Sequence, residues 1–167
     1  MFLFIFASFN SQTMHQTLLL LHSVNRYLVV FSLIAAIITA WNGIRLNKPF
    51  SRSSNTIRHL TATITHIQLV LGIALYCISP VVKLAGFDAA SDNIVSEHTF
   101  FRFIHLCLMI IAIVIITIGS ATAKRMDTDQ SKFRNMLRWY SLGLLIILIA
   151  IPWPFSPLAN RPFLRSF

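Results

Sequence analysis

The chain has 167 residues, of which 56% are hydrophobic and 11% are charged, and its formal net charge is +9. A soluble domain carries about 25% charged residues, and a chain this short cannot bury so much apolar surface in one water-soluble core. The composition therefore excludes a soluble domain and indicates an integral membrane protein. Because the basic residues flank apolar segments, the positive charge indicates lipid headgroups as the partner and argues against nucleic acid.

Residues 1–16 differ from the rest of the chain. Their apolar run is too short for a membrane span, and no basic residues precede it as they would in a signal peptide. Met14 stands directly before the first long apolar segment. We predict that residues 1–16 form an N-terminal extension and that translation of the natural protein begins at Met14.

Four later segments are apolar over about the length that a helix needs to cross a bilayer. The predicted spans are 17–44, 58–80, 99–123 and 138–152. The second span begins at Arg58 and stops at Pro80, and a proline-rich tail, 153–167, follows the fourth, because proline removes a backbone donor and disfavours helix. Small residues at 119–121 favour close helix packing. We predict an all-α, up-down-up-down four-helix bundle, residues 17–152, capped by the tail.

The basic residues predict the orientation of this bundle. The positive-inside rule places the side with more Lys and Arg in the cytoplasm. One side receives five basic residues: Arg26, Lys83, Arg102, Arg161 and Arg165. The other side receives nine: Arg45, Lys48, Arg52, Arg58, Lys124, Arg125, Lys132, Arg134 and Arg138. Both termini are therefore predicted to face outward.

Four histidines fall inside the predicted spans: His59 lies at the inner interface, and the depths of the other three differ. At 1.5 Å of rise per residue, His22 lies ~6 Å and His105 ~9 Å below the outer edge, whereas His66 lies ~21 Å below it. His22 and His105 are therefore a pair at one level on different helices. An ionisable side chain inside a membrane bundle is a candidate functional residue.

Two neutral imidazoles from facing helices are typical axial ligands of a b-type haem iron. Arg26 and Arg102 lie at a level suitable for the haem propionates, and the tail could add Arg161 or Arg165. The macrocycle would pack against Met109 and three aromatic residues, Phe100, Phe101 and Phe103.

His66 has no histidine at its own depth, so a second haem is not predicted. We retain His66 as a cofactor-site candidate, on a proton or quinone path. The alternative is a purely structural hydrogen bond to Ser32 or Thr117.

Several stretches resemble a family of small bacterial four-span membrane proteins usually labelled "cytochrome b". They are LLLLHSVNRYLVV, RHLTATITHIQLVLGIALY, IGSATAKR and IPWPFSPLANRPFLRSF. The resemblance covers most of residues 14–167 and implies a multi-pass protein of the bacterial inner membrane with a haem-binding helical bundle. More distantly, the layout is similar to diheme b-type cytochromes and to haem A synthase halves. Those proteins use matched histidine pairs, and the absence of histidine from the fourth span here leaves at most one haem.

The sequence leaves alternatives open. The second hypothesis is a haem-free membrane subunit or assembly factor whose polar residues stabilise helix packing, and further ones are a transporter or a copper site at His22, His98 and His105. No nucleophile constellation or phosphate-binding loop appears, so we expect no catalytic activity of its own. Besides the lipid bilayer, a quinone, a redox partner subunit, and a homo- or hetero-oligomer remain open as partners.

Overall fold

The computed structural model describes residues 2–79, 82 and 96–156, with side chains described from residue 12 onward except at 97. The third helix has three segments: an α-helical turn, a π-helical turn and a long α-helical part. We call these three segments together α3. The helices are α1, Phe2–Arg45; α2, Arg52–Ile78; α3, Glu97–Thr99, Phe100–Ile104 and His105–Arg125; and α4, Asp129–Ala150.

The helices extend beyond the predicted spans at the polar ends. α2 begins at Arg52, where Ser51 accepts a hydrogen bond from the Ser54 amide, and α4 begins at Asp129, where Thr128 accepts one from the Ser131 amide. Such caps satisfy the free amides of a helix start, so the helix begins there and not at the first apolar residue. The polar residues before Arg138, which the predicted fourth span leaves out, belong to α4 itself.

α1 is a continuous helix of 44 residues, and it crosses the predicted boundary between residues 16 and 17. At 1.5 Å per residue it is about 66 Å long, so it exceeds the ~30 Å of a bilayer core. Most of the predicted loop after α2, and the tail from residue 157 with its two arginines, lie outside the described residues.

The four helices form an antiparallel bundle in chain order. Each helix packs against its neighbours in sequence and α4 packs against α1, so α1 and α3 face each other diagonally. α2 and α3 form the least extensive of these four contacts. The predicted all-α, up-down-up-down four-helix bundle is confirmed. We call the end where α1 and α3 begin the upper end, and the opposite end the lower end.

Apolar residues lie both inside this bundle and on its surface. On α1, Val29, Leu33, Ala36 and Ala40 are buried at the three- and four-residue spacing of one helix face. Large side chains such as Phe31, Val70 and Leu145 point outward. All four helices are long and apolar enough to cross a membrane, as a multi-pass membrane protein requires. The outward apolar residues are suited to contact lipid.

Two glycines allow α3 and α4 to approach closely. A Cβ atom added at Gly119 would overlap the Cβ of Trp139, and one added at Gly143 would lie 2.5 Å from the Cγ1 of Ile116. The predicted close approach at Gly119 is thus seen at the contact with α4. Small residues have this role in membrane bundles because backbone contact replaces the hydrophobic effect as the source of helix association.

Arg58 lies in the lower half of the bundle and is only 5% exposed. Its guanidinium donates to the Asn55 side chain at 2.9 and 3.1 Å, to the Ser120 carbonyl at 2.8 Å and to the Ser120 hydroxyl. The Tyr140 hydroxyl donates to the Arg58 carbonyl at 2.8 Å. The residue predicted to be the cation at the start of a span instead joins α2, α3 and α4.

Candidate ligand site between His22 and His105

A cavity of about 200 Å³ lies in the upper half of the bundle. Its walls come from α1, α2 and α3, and the residues after α4, Ile151 and Pro152, complete them. Both His22 and His105 line it. Ile73 lines the cavity and is also exposed on the surface of α2, so the cavity reaches the lipid-facing side of the bundle.

His105 is positioned by an unusual turn of α3. The segment Phe100–Ile104 is a π-helix, and the His105 amide donates to the Phe100 carbonyl, five residues back. Single π-turns within α-helices occur frequently at functional sites. The rings of Phe100 and Phe101 lie 5.8 and 5.9 Å from the His105 ring, so aromatic contacts fix its orientation.

The Nδ1 atom of His105 lies 2.8 Å from the carbonyl oxygen of Ala150, the last residue of α4. A carbonyl only accepts, so this contact assigns the proton to Nδ1 and leaves Nε2 with its lone pair. Metal-binding histidines in proteins commonly donate their second nitrogen to a carbonyl in this way. His105 therefore has the arrangement expected of a metal ligand or of a hydrogen-bond acceptor.

His22 is held by Gln68 of α2. The Gln68 amide nitrogen lies 3.2 Å from His22 Nε2 and donates to the His22 carbonyl at 3.1 Å. The amide cannot be turned round, because the Asn25 side chain donates to the Gln68 oxygen at 2.8 Å. Gln68 is thus the donor to His22 Nε2, which assigns the His22 proton to Nδ1.

His22 Nδ1 is buried and has no hydrogen-bond partner among the described residues. The edge of the His22 ring that carries Nδ1 faces Gly72. A Cβ atom added to this glycine would lie 3.4 Å from Cε1 and 3.8 Å from Nδ1 of His22. Because residue 72 has no side chain, it offers this nitrogen no acceptor. A buried donor without an acceptor costs about 1–3 kcal/mol, so this edge favours a ligand with an acceptor atom.

The two rings are close to each other, as the sequence predicts for a shared site. Their centroids are 6.5 Å apart and their planes meet at 67°. Two metal–imidazole bonds of about 2 Å in line would place the ring centres about 6 Å apart. The spacing therefore fits a single metal atom between the rings, provided that each ring offers a nitrogen lone pair.

Of the two arginines predicted for this site, only Arg26 lines the cavity. Arg102 lies outside the lining: its guanidinium is 3.4 Å from His98 Nε2 and stacks over the Phe103 ring at 5.4 Å. This contact also holds His98 outside the lining, away from the copper site proposed as an alternative. Within the described part of the chain, no group of three histidine, cysteine or acidic residues could hold a metal ion.

The apolar residues predicted to pack a macrocycle divide into two groups. Phe101 and Met109 line the cavity, and Phe100 is buried beside His105. Phe103 is 54% exposed and points away from the site. Phe103 stands two residues from His105, about 200° round a helix, and therefore lies on the opposite face.

His66 lies elsewhere. Its ring is exposed, and Nε2 is 3.0 Å from the Thr117 hydroxyl, which itself donates to the Ile113 carbonyl at 2.7 Å. Thr117 is one of the two partners predicted for His66. The pair joins α2 to α3 below the cavity, one turn beyond the lining residues Leu69 and Ile113.

Sequence reasoning missed the residues that determine the protonation of the pair, namely Gln68, Asn25 and the Ala150 carbonyl. Gln68 and Asn25 carried a usable signal, because buried amides inside membrane spans are costly unless they are paired. Gly72 and the π-turn carried no such signal in the sequence, because what they do at the site depends on the neighbouring helix.

The residues fit a haem in part. His105 offers Nε2 to iron, but His22 offers Nε2 only if Gln68 releases it. A cavity of 200 Å³ is also smaller than the ~300–1,000 Å³ of pockets for drug-sized ligands, so α2 and α3 must separate further to admit a macrocycle.

Comparisons with protein-family models, with curated proteins and with solved structures give no match to this chain.

Proposed function

We propose that this protein is a multi-pass b-type cytochrome of the bacterial inner membrane, with one haem held between His22 and His105. The observation that carries the proposal is the pair of imidazoles on diagonal helices, 6.5 Å apart and lining one cavity. The resemblance of the sequence to the small four-span "cytochrome b" family, which implies a haem-binding bundle, is a further reason for this proposal.

Each residue has a distinct part in it. His105 would ligate iron through Nε2 while Nδ1 stays on the Ala150 carbonyl. His22 would supply the second nitrogen, and Arg26 would face a propionate. When bound, the haem would supply one-electron chemistry, and a quinone or a partner subunit in the membrane would exchange electrons with it.

An absorption spectrum tests the proposal directly. The full-length protein, purified from haem-producing cells, is expected to show the sharp b-type bands in a dithionite-reduced minus oxidised spectrum. His105→Ala should abolish these bands, and His22→Ala should abolish them or convert the iron to a five-coordinate form. His59→Ala is the matched control, since this exposed histidine lies near the lower end of α2. A colourless, folded wild-type protein would refute haem binding.

A second candidate function is a haem-free membrane subunit or assembly factor. It is favoured by the Gln68 contact on His22 Nε2 and by the small volume of the cavity. The same spectrum separates the two candidates.

The orientation is also a proposal, and it predicts which residues are accessible from outside. With Cys77 and Cys107 replaced by alanine, a new cysteine at Gln16, an exposed residue towards the upper end of α1, should react with an impermeant maleimide in spheroplasts. A cysteine at Asp127, in the lower turn between α3 and α4, should react only after lysis, because the basic residues of that end favour the cytoplasm. The reverse pattern would contradict the orientation.

A further inference from the structure

The two imidazoles present different groups to the cavity as they stand. His22 contributes a donor, Nδ1–H, because Gln68 occupies its Nε2. His105 contributes an acceptor, Nε2, because its Nδ1–H is bound to Ala150. Both rings are neutral in this arrangement. The lining agrees with this, because it includes the positively charged Arg26 and, among the described residues, no carboxylate that would stabilise a protonated ring.

A donor and an acceptor on opposite sides of one space suit a hydroxyl group, whose oxygen accepts one hydrogen bond while its proton donates another. Two hydrogen bonds of about 2.8 Å, meeting at an oxygen at roughly the tetrahedral angle, place the ring centres about 6–7 Å apart. The observed separation is 6.5 Å. Iron ligation by His22 Nε2 requires Gln68 to move, whereas a hydroxyl bound at Nδ1 leaves the contact between Gln68 and His22 in place.

The rest of the cavity is suited to an apolar body. Its walls include Leu69, Leu106, Met109 and Ile113, and the volume of about 200 Å³ exceeds what a single water fills. The cavity reaches the lipid-facing surface at Ile73, beside the loosest helix pair, α2 and α3. A molecule dissolved in the membrane could therefore enter from the side.

We infer that the haem-free protein binds a neutral, lipid-soluble phenol or alcohol, whose hydroxyl accepts from His22 Nδ1–H and donates to His105 Nε2. Gln68 is the positioning residue, because it determines which His22 nitrogen carries the proton. The inference does not rest on the proposed haem, and the two ligands would compete for the same imidazoles.

Cell-free synthesis into nanodiscs without haem provides the protein for the test. The probes are 4-butylphenol and its methyl ether, in which a methyl group replaces the hydroxyl proton, so that the oxygen can still accept a hydrogen bond but cannot donate one. We expect the phenol to bind about tenfold more tightly in calorimetry, the usual effect of one hydrogen bond. Equal affinities, or no binding of the phenol, would overturn the inference and leave ordered water as the occupant.

Gln68→Leu provides a second test with opposite expectations for the two ligands. Without the amide donor, the His22 proton is no longer confined to Nδ1, so both probes lose part of the hydrogen bond from His22 and the phenol should bind severalfold more weakly. Haem uptake should not weaken, because Nε2 of His22 is released. His59→Ala should leave the affinity for the phenol unchanged. Nitrogen-15 spectra of labelled histidine should show His22 as the Nδ1–H tautomer in the wild type, and the Nε2–H tautomer there would contradict the inference.

Discussion

Replacing Arg58 by alanine is expected to lower the free energy of unfolding by about 3 kcal/mol, because hydrogen bonds to a charged group are among the stronger ones and their partners stay behind. The substitution removes the four guanidinium hydrogen bonds to Asn55 and Ser120, and Ser120 is itself buried. It also removes a side-chain link between α2 and α3, whose contact is the least extensive of the four between adjacent helices.

Reversible unfolding of the protein in mixed micelles provides the measurement. Arg52→Ala is the matched control, since Arg52 is an exposed arginine in the first turn of the same helix and should change stability by less than about 0.5 kcal/mol. Arg58→Lys should give an intermediate loss, because a single ammonium cannot reproduce the planar fork that spans Asn55 and Ser120. Equal stability of the two alanine variants would show that the buried arginine is not a structural link.

Gly119→Ala is expected to destabilise the bundle by about 2 kcal/mol, although alanine is the better helix former. The added methyl group would overlap the Cβ of Trp139. A Cβ atom cannot rotate away, so α3 and α4 must move apart, and the packing around Ala123 and Met136 loosens with them.

Gly72→Ala is the matched control for this change. Its methyl group would meet the His22 ring at 3.4 Å, which is an ordinary contact, so the gain in helix propensity should leave stability unchanged or slightly higher. The same unfolding assay compares the two variants. A Gly119→Ala protein as stable as the wild type would mean that the contact between α3 and α4 tolerates separation.

The composition and hydropathy of the sequence were informative about the membrane fold because they reflect the solvent around the chain. Lipid requires long apolar helices whose backbone groups are satisfied internally, and that requirement is visible in any window of about 20 residues. Helix ends were less predictable. The caps at Ser51 and Thr128 start α2 and α4 in polar sequence, where hydropathy no longer carries information.

The depth of a residue in the membrane could also be predicted, because it follows from counting residues along the helix. On that basis His22 and His105 were predicted to lie at the same level. The direction in which each side chain points around its helix axis could not be predicted equally well. Arg102 and Phe103 were predicted at the site and lie outside its lining: Phe103 is about 200° round the helix from His105, and the guanidinium of Arg102 contacts His98 and Phe103. Arg58 was predicted at an interface and is buried, because Ser120 and Asn55 supply its acceptors.

The sequence alone therefore determined that this chain is a four-helix membrane bundle with two histidines at one level, because hydrophobic length and rise per residue are local properties. Only the tertiary structure decided which nitrogen of each histidine carries the proton, because that depends on Gln68 and the Ala150 carbonyl, which lie 46 and 45 residues away along the chain. Hydrogen bonds between helices are set by how the helices pack, and no local pattern in the chain records them.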